Sequence, residues 1–249
     1  MAPVIALNLQ GLCKAFGGLR AVENVALSVT PGERRALIGP NGAGKTTLFN
    51  LISGELPPSG GRITLFGRDV TPLPPHRRAA LGLARTYQIT NLFPSLTVLE
   101  NLLLAVQALE RTKLVLLKPI SSYRHLYARA RVTLESVGLA DKEGEAVKNL
   151  SHGEQRQMEI AMALAGQPRL LLLDEPAAGL SPAESRMMIA LLKRLDGGIT
   201  LIVIEHDMDV AFALTDRVTV LHNGSVVADG SRDEVKANAL VREIYLGGA

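Results

Sequence analysis

The segment Gly39-Pro40-Asn41-Gly42-Ala43-Gly44-Lys45-Thr46-Thr47 constrains this chain more than any other part of it. An apolar run, Arg35 to Ile38, precedes it, and a helical stretch from about Lys45 to Ser53 follows. The spaced glycines let backbone N–H groups turn inward around phosphate oxygens. A helix that begins at Lys45 adds unpaired amides and the positive end of its dipole to the same anion. The Lys45 ammonium can reach the β- and γ-phosphates, and the Thr46 hydroxyl can ligate Mg²⁺. A glycine-rich turn that merely precedes a lysine is the bland alternative. The strand before the loop and the helix after it favour nucleotide binding.

The rest of the chain alternates around this loop. Val4, Ile5, Leu7 and Leu9, then Val25, Leu27 and Val29, read as strands of an antiparallel layer at the N-terminus. After the loop Pro57 to Gly61, Arg62 to Phe66 reads as another strand. From about Thr97 to Gly166 the periodicity becomes helical. Leu99, Leu102, Leu103, Val106 and Leu109 mark one helix, Tyr123 to Val137 a second with Gly138 as its stop, and Ser151 opens a third. Leu170 to Leu173 and Ile199 to Ile204 are continuous apolar runs of the kind found in buried parallel strands. A helix from about Pro182 to Leu195 separates them. The expected architecture is α/β, a parallel sheet around the phosphate loop with a helical insert.

The run Leu170 to Leu173 ends in Asp174-Glu175. Strand C-terminal ends line the ligand crevice of a parallel sheet. Asp174 can hold Mg²⁺ through water. Alternation along a strand would turn Glu175 to the opposite side, where it can orient or deprotonate the water that attacks the γ-phosphate. A strand that simply exits to a polar turn at Pro176 is the competing reading.

Composition narrows the remaining classes. Of 249 residues, 27 are Lys or Arg and 24 Asp or Glu, a net charge of 27 − 24 = +3. Apolar residues at 47% and charged residues at 20% suit a folded globular chain rather than a disordered one. The longest uncharged stretch, Thr86 to Leu99, contains Gln88, Asn91 and Pro94 and cannot span a bilayer. No basic segment precedes an apolar one at the N-terminus, so no signal peptide is expected. A single cysteine, Cys13, excludes an intramolecular disulfide and suits a reducing compartment. Arg77-Arg78 and the set Arg124, Arg129 and Arg131 read as solvated helix faces rather than a phosphate track. With tryptophan absent and aromatics at 4%, no nucleic-acid partner is expected. The scattered histidines His76, His125, His152 and His222 suggest no metal site.

Upstream of Asp174 stands Leu150-Ser151-His152-Gly153-Glu154-Gln155. It resembles the signature motif of ABC-type ATPases, usually Leu-Ser-Gly-Gly-Gln. His152 replaces the first of the paired glycines and Glu154 the first of the polar residues, while Ser151 and Gly153 are kept. At a helix N-terminus, Ser151 and the following amides can bind an anion or simply cap their own helix. In this family that surface covers the γ-phosphate of the partner subunit's ATP. Gln88, within Arg85-Thr-Tyr-Gln88, stands where the Q-loop should be. His206, in Ile204-Glu-His-Asp207, matches the switch histidine that helps hold the attacking water. Phe16 matches the aromatic that stacks on adenine, usually a tyrosine. Ala178-Gly-Leu-Ser181 matches the D-loop, with Ser181 where Asp or Asn is usual. The resemblance covers nearly the whole chain.

This resemblance implies an ABC-type P-loop ATPase with a RecA-like core, an N-terminal antiparallel β layer and an inserted helical subdomain. Residues 1–249 form one nucleotide-binding domain, with the core at about 1–90 and 167–249 and the helical part at about 91–166. ATP and Mg²⁺ are the implied cofactors. Glu175, His206, Lys45 and Gln88 are the implied catalytic residues, and Thr46, Gln88 and Asp174 the implied metal ligands. Residues 92 to 101, 174 to 180, 205 to 208 and the terminal Ile244-Tyr-Leu-Gly247 resemble the ATP-binding subunits of bacterial branched-chain amino acid importers. Lipopolysaccharide-export ATPases share the Tyr-Leu-Gly ending, and a soluble ABC protein or a P-loop kinase are more distant alternatives. The implied partners are a second cassette, the same or related, two membrane permeases and, indirectly, a periplasmic binding protein. The implied location is the cytoplasmic face of the inner membrane.

Overall fold

A computed structural model of the chain describes residues 5–86, 92–108, 110, 115 and 119–246. The chain divides into two compact units, one of Met1–Leu83, Arg169–Glu175 and Asp196–Ala249, the other of Ala84–Pro168 and Pro176–Leu195. The expected insert at about 91–166 lies inside the second unit. That unit also takes in Pro176–Leu195, because the helix there packs on the third insert helix.

The first unit is built on two sheets. Strands β1 (Leu7–Phe16), β2 (Leu19–Val29), β4 (Gly60–Leu65) and β5 (Arg68–Asp69) form an antiparallel sheet in the order β2-β1-β4-β5. The second sheet runs β10-β9-β3-β8-β7-β6, with β3 (Arg34–Ile38), β6 (Leu83–Arg85), β7 (Leu170–Asp174), β8 (Thr200–Ile204), β9 (Arg217–His222) and β10 (Ser225–Ser231). Strand β3 pairs in parallel with β8 and β9, and β7 with β8, while β10 closes antiparallel on β9. The apolar runs read as parallel strands are buried throughout, as sheets covered on both faces require. The strand expected over Arg62 to Phe66 starts earlier, at Gly60, and stops at Leu65, because Phe66 adopts a left-handed φ of 50° that breaks the pleat.

Period-two alternation along β3 divides its side chains between two cores. Leu37 faces helix α1 (Lys45–Ser53) and the antiparallel sheet, among Leu9, Leu27, Leu48, Phe49 and Ile63. Ala36 and Ile38 face the other way, toward Ala211, Phe212, Val235 and Val241. Those last four sit on α7 (Met208–Leu214), α8 (Arg232–Ala237) and α9 (Ala239–Leu246). Each fully buried aliphatic side chain contributes about 1.5–3 kcal/mol of hydrophobic stabilisation before ordering costs.

The second unit is helical. Helices α3 (Val98–Ala108), α4 (Arg124–Val137) and α5 (His152–Leu164) pack on one another, and Leu102, Leu103, Leu126, Leu134, Met158 and Ile160 on them are buried. Gly138 ends α4 in the left-handed conformation with φ 77°. Asn101 is fully buried and closes the turn before α3, its amide donating to Phe93 O and Thr97 O at 3.0 Å each. Helix α6 (Pro182–Arg194) joins this unit. No helix among the described residues is long and apolar enough to cross a membrane.

One expectation about the basic residues is corrected here. On the short helix α2 (Pro75–Ala79), Arg77 is exposed, but Arg78 is only 1% exposed. Its guanidinium donates to Leu51 O at 2.6 Å and Ile52 O at 2.8 Å, the last carbonyls of α1, and to Leu73 O at 2.9 Å. A cation at a helix C-terminus satisfies orphan carbonyls and complements the dipole. Burial pushes the Arg78 pKa down, and Asp69 opposes that shift. Arg129 is half-buried and likewise donates to a main-chain carbonyl, Ala165 O, at 3.1 Å. Helical spacing alone could not distinguish a solvated arginine from one folded back onto carbonyls. Arg78→Ala should therefore lower unfolding stability by about 3 kcal/mol. A shift of the urea midpoint at unchanged slope would show it, and Arg78→Lys should restore only part, since an ammonium cannot span the same acceptors.

Candidate nucleotide site

The loop Gly39–Gly44 links β3 to α1, and Lys45 is the first residue of that helix. Gly44 is the N-cap, with φ 101°, a conformation that a side chain opposes. A Cβ at Gly44 would overlap Ala21 O on β2, and one at Gly39 would overlap Leu221 O on β9. These two glycines therefore let the loop press against main chain from both sheets. Ala43 O accepts from Gly224 N at 3.0 Å, which ties the loop to the β9–β10 turn.

Lys45 is 9% exposed. Its Nζ donates to Gly39 O at 2.6 Å and to Pro40 O at 3.1 Å, so the ammonium is folded into the loop's concavity. Burial lowers its pKa, while the charges of Glu175 and then Asp174 raise it. Asn41, Gly42 and Thr46 face solvent, with Thr47 half-buried behind them. The loop brings together main-chain amides, a buried cation and an exposed hydroxyl, which is the chemistry that a triphosphate requires. For Mg²⁺, the donor set fits as one hydroxyl, Thr46, and one carboxylate, Asp174, a hard oxygen set to be completed by phosphate and water.

Asp174 ends β7 and is 2% exposed. Glu175 departs from the sequence expectation. It does not continue the strand alternation but takes a left-handed φ of 47°, with its N–H bonded to Ile204 O at 2.9 Å. That turn, costly for a non-glycine residue, redirects the side chain, so both carboxylates act on Lys45. Strained backbone of this kind concentrates at functional sites. Glu175 is 28% exposed, and its Oε1 lies 3.7 Å from Nδ1 of His206, which is 62% exposed. His206 follows β8, the strand that pairs with β7, so register between two parallel strands sets this pair together.

Phe16 closes β1 at the hairpin with β2 and is 47% exposed. Lys14 Nζ lies 5.1 Å from its ring centroid. An exposed aromatic face is what stacking on a base needs. Tyr245, on α9, is half-buried near Gly39, and burial pushes its pKa up to about 12. Ala21 and Gly224 brace the loop from distant parts of the chain, with Tyr245 nearby, and no local pattern marks them for that place. The terminal Ile244-Tyr-Leu-Gly247 similarity was the sole signal, and it pointed to kinship rather than to contact.

In the helical unit, Ser151 is the N-cap of α5. Its Oγ accepts from Glu154 N at 3.3 Å and its N–H donates to Glu154 Oε2 at 2.8 Å, a reciprocal capping box. Glu154 is thereby a cap partner, which accounts for a carboxylate at that place. Its pKa is lowered by the Ser151 N–H and, further, by Lys142. Ser181 caps α6 through the same box with Glu184. Gln88 lies outside the described residues.

Residues 22–178 match the family model described as ABC transporter. The high-affinity branched-chain amino acid transport ATP-binding protein LivG of Salmonella typhimurium is 42% identical over 99% of each chain. Among solved structures, the ADP conformation of an ATP-binding cassette of an ABC transporter aligns with a TM-score of 0.84 at 31% identity, over 98% of this chain and 99% of that one. A dimeric ATP-binding cassette in a post-hydrolysis state, bound to ADP and phosphate, aligns with a TM-score of 0.77 at 28% identity, over 90% and 98%. A nucleotide loop braced by two sheets, a strained carboxylate beside it and these similarities along nearly the full length agree, and the chain belongs to the ABC transporter family as an ATP-hydrolysing cassette.

Proposed function

We propose that this chain is the ATP-driven subunit of a bacterial importer for branched-chain or related hydrophobic amino acids. The similarity to LivG over nearly all of both chains supports the cargo class. The observation that carries the chemistry is Glu175, held in a left-handed turn between Lys45 and His206.

In this reading the loop amides and Lys45 bind the β- and γ-phosphates, and Phe16 stacks on the base. Thr46 and Asp174, with Gln88, would hold Mg²⁺, which when bound would offset charge on the phosphates. Glu175 accepts the proton of the attacking water while His206 orients it. The water oxygen forms a bond to the γ-phosphorus as the bond to the bridging oxygen breaks, which releases ADP and phosphate. Lys45 offsets the charge that develops on the leaving oxygen.

The chain works with a second cassette, identical or related, each ATP lying between the Lys45 loop of one and the Ser151–Gly153 end of α5 of the other. ATP binding biases closure, and hydrolysis resets it. Permease subunits at the cytoplasmic face of the membrane receive that motion through the Gln88 segment and the helical unit. A periplasmic binding protein delivers the solute from the other side.

Two experiments test this. Glu175→Gln should bind MgATP, lose about a thousandfold of turnover or more and accumulate as a dimer in light scattering; near-normal phosphate release would remove Glu175 from its role. Lys45→Ala should abolish tight MgATP binding in a calorimetric titration, and unchanged affinity would contradict the phosphate loop assignment.

A further inference from the structure

Gly153 carries no left-handed φ, since it lies in the first turn of α5, so the backbone does not demand a glycine there. The demand comes from a side chain. A Cβ on Gly153 would lie 2.7 Å from Glu184 Oε1 and 3.2 Å from its Cδ and Cγ. Glu184 cannot simply withdraw, because its Oε2 accepts from Ser181 N at 2.9 Å and from Ser181 Oγ at 2.7 Å. One carboxylate thus serves the N-termini of two helices, capping α6 through Ser181 and lying against the first turn of α5 at Gly153. Ser181 lowers its pKa most, the Gly153 N–H and the nearby His152 adding to that, so it stays ionised at neutral pH.

Two further contacts join the same segments. The His152 ring lies over Gly179, where a Cβ would come 3.2 Å from Cε1. Arg156 Nε donates to Pro176 O at 3.3 Å. Three contacts thus interlock residues 152–156 with 176–184, all within the helical unit. His152 and Ser181, two of the departures from the family pattern, both lie at this seam.

We infer that Glu184 is a positioning residue for ATP-driven closure, its carboxylate locking Ala178–Ser181 to the first turn of α5 so that both meet the partner subunit as one surface. This rests on the reading above that the N-terminal end of α5 meets a partner's nucleotide. Glu184 touches neither nucleotide nor water in this scheme. It acts through the orientation of Gly153 and Ser181.

The test uses the full chain carrying Glu175→Gln, with MgATP, and light scattering to find the midpoint of dimer formation. Adding Glu184→Ala should raise the ATP concentration at that midpoint about tenfold. Binding of a fluorescent ATP analogue to the monomer, at protein concentrations too low for dimers, should not change, because the phosphate loop lies in the other unit. Gly153→Ala should produce a similar loss, and the two changes together should cost no more than one alone, since deleting the carboxylate makes room for the methyl group. If the Glu184→Ala chain does not fold, Gly153→Ala alone carries the test, and Glu184→Gln, which keeps the reach of the side chain and an oxygen for Ser181, should lose less than tenfold. An unchanged midpoint, a multiplied loss in the double variant, or weaker analogue binding by the monomer would each overturn the inference. A Glu175→Gln chain that never dimerises would instead strike the proposed function, and this inference with it.

Discussion

The close approach of main chain to main chain at the phosphate loop is the contact on which the rest of the site depends. Gly44 lies against Ala21 O of one sheet and Gly39 against Leu221 O of the other, with Ala43 O bonded to the β9–β10 turn. No side chain could stand at either glycine. The loop is therefore held by backbone groups whose positions follow from sheet hydrogen bonding, and preorganised amides stabilise an anion without reorganising when it arrives. Lys45, folded under that loop, is placed by the same contacts.

The opposite wall of the site comes from the parallel sheet. Strands β7 and β8 are buried along their whole length, and that burial fixes the register that brings Glu175 and His206 to neighbouring strand ends. The left-handed turn at Glu175 costs free energy that the surrounding sheet must offset. Helix α1 is secured at both ends, by Gly44 at its start and by Arg78 on its last carbonyls. The helical unit uses another device repeatedly. Ser151 with Glu154 and Ser181 with Glu184 are both reciprocal capping boxes, and in the first unit Ser231 with Glu234 is a third. Of these three cap glutamates, Glu184 lies against the first turn of a neighbouring α-helix.

Much of this was legible in the residues themselves. The phosphate loop, its helix from Lys45 to Ser53, the paired carboxylates and the apolar parallel strands are local patterns, and the structure has each where the pattern put it. The Ser151 cap, the Gly138 stop and the proline at the start of α6 were equally local. The edges of β4, the burial of Arg78, the turn at Glu175 and the inclusion of α6 in the helical unit were not. Each depends on groups far away in the chain: Arg78 on carbonyls of α1, Glu175 on Ile204, α6 on α5.

The sequence by itself determined the chemistry of this protein, because a phosphate loop is a short segment whose glycines, lysine and threonine act within a few residues of one another. It also determined the fold class, since hydrophobic periodicity is local. Only the tertiary structure decided which glycines are indispensable and why. Gly39 and Gly44 are required by carbonyls of two different sheets, whereas a side chain at Gly153 would press on a carboxylate from another helix. Spacing along a chain records what a residue is, but steric room is a property of whatever the fold brings against it.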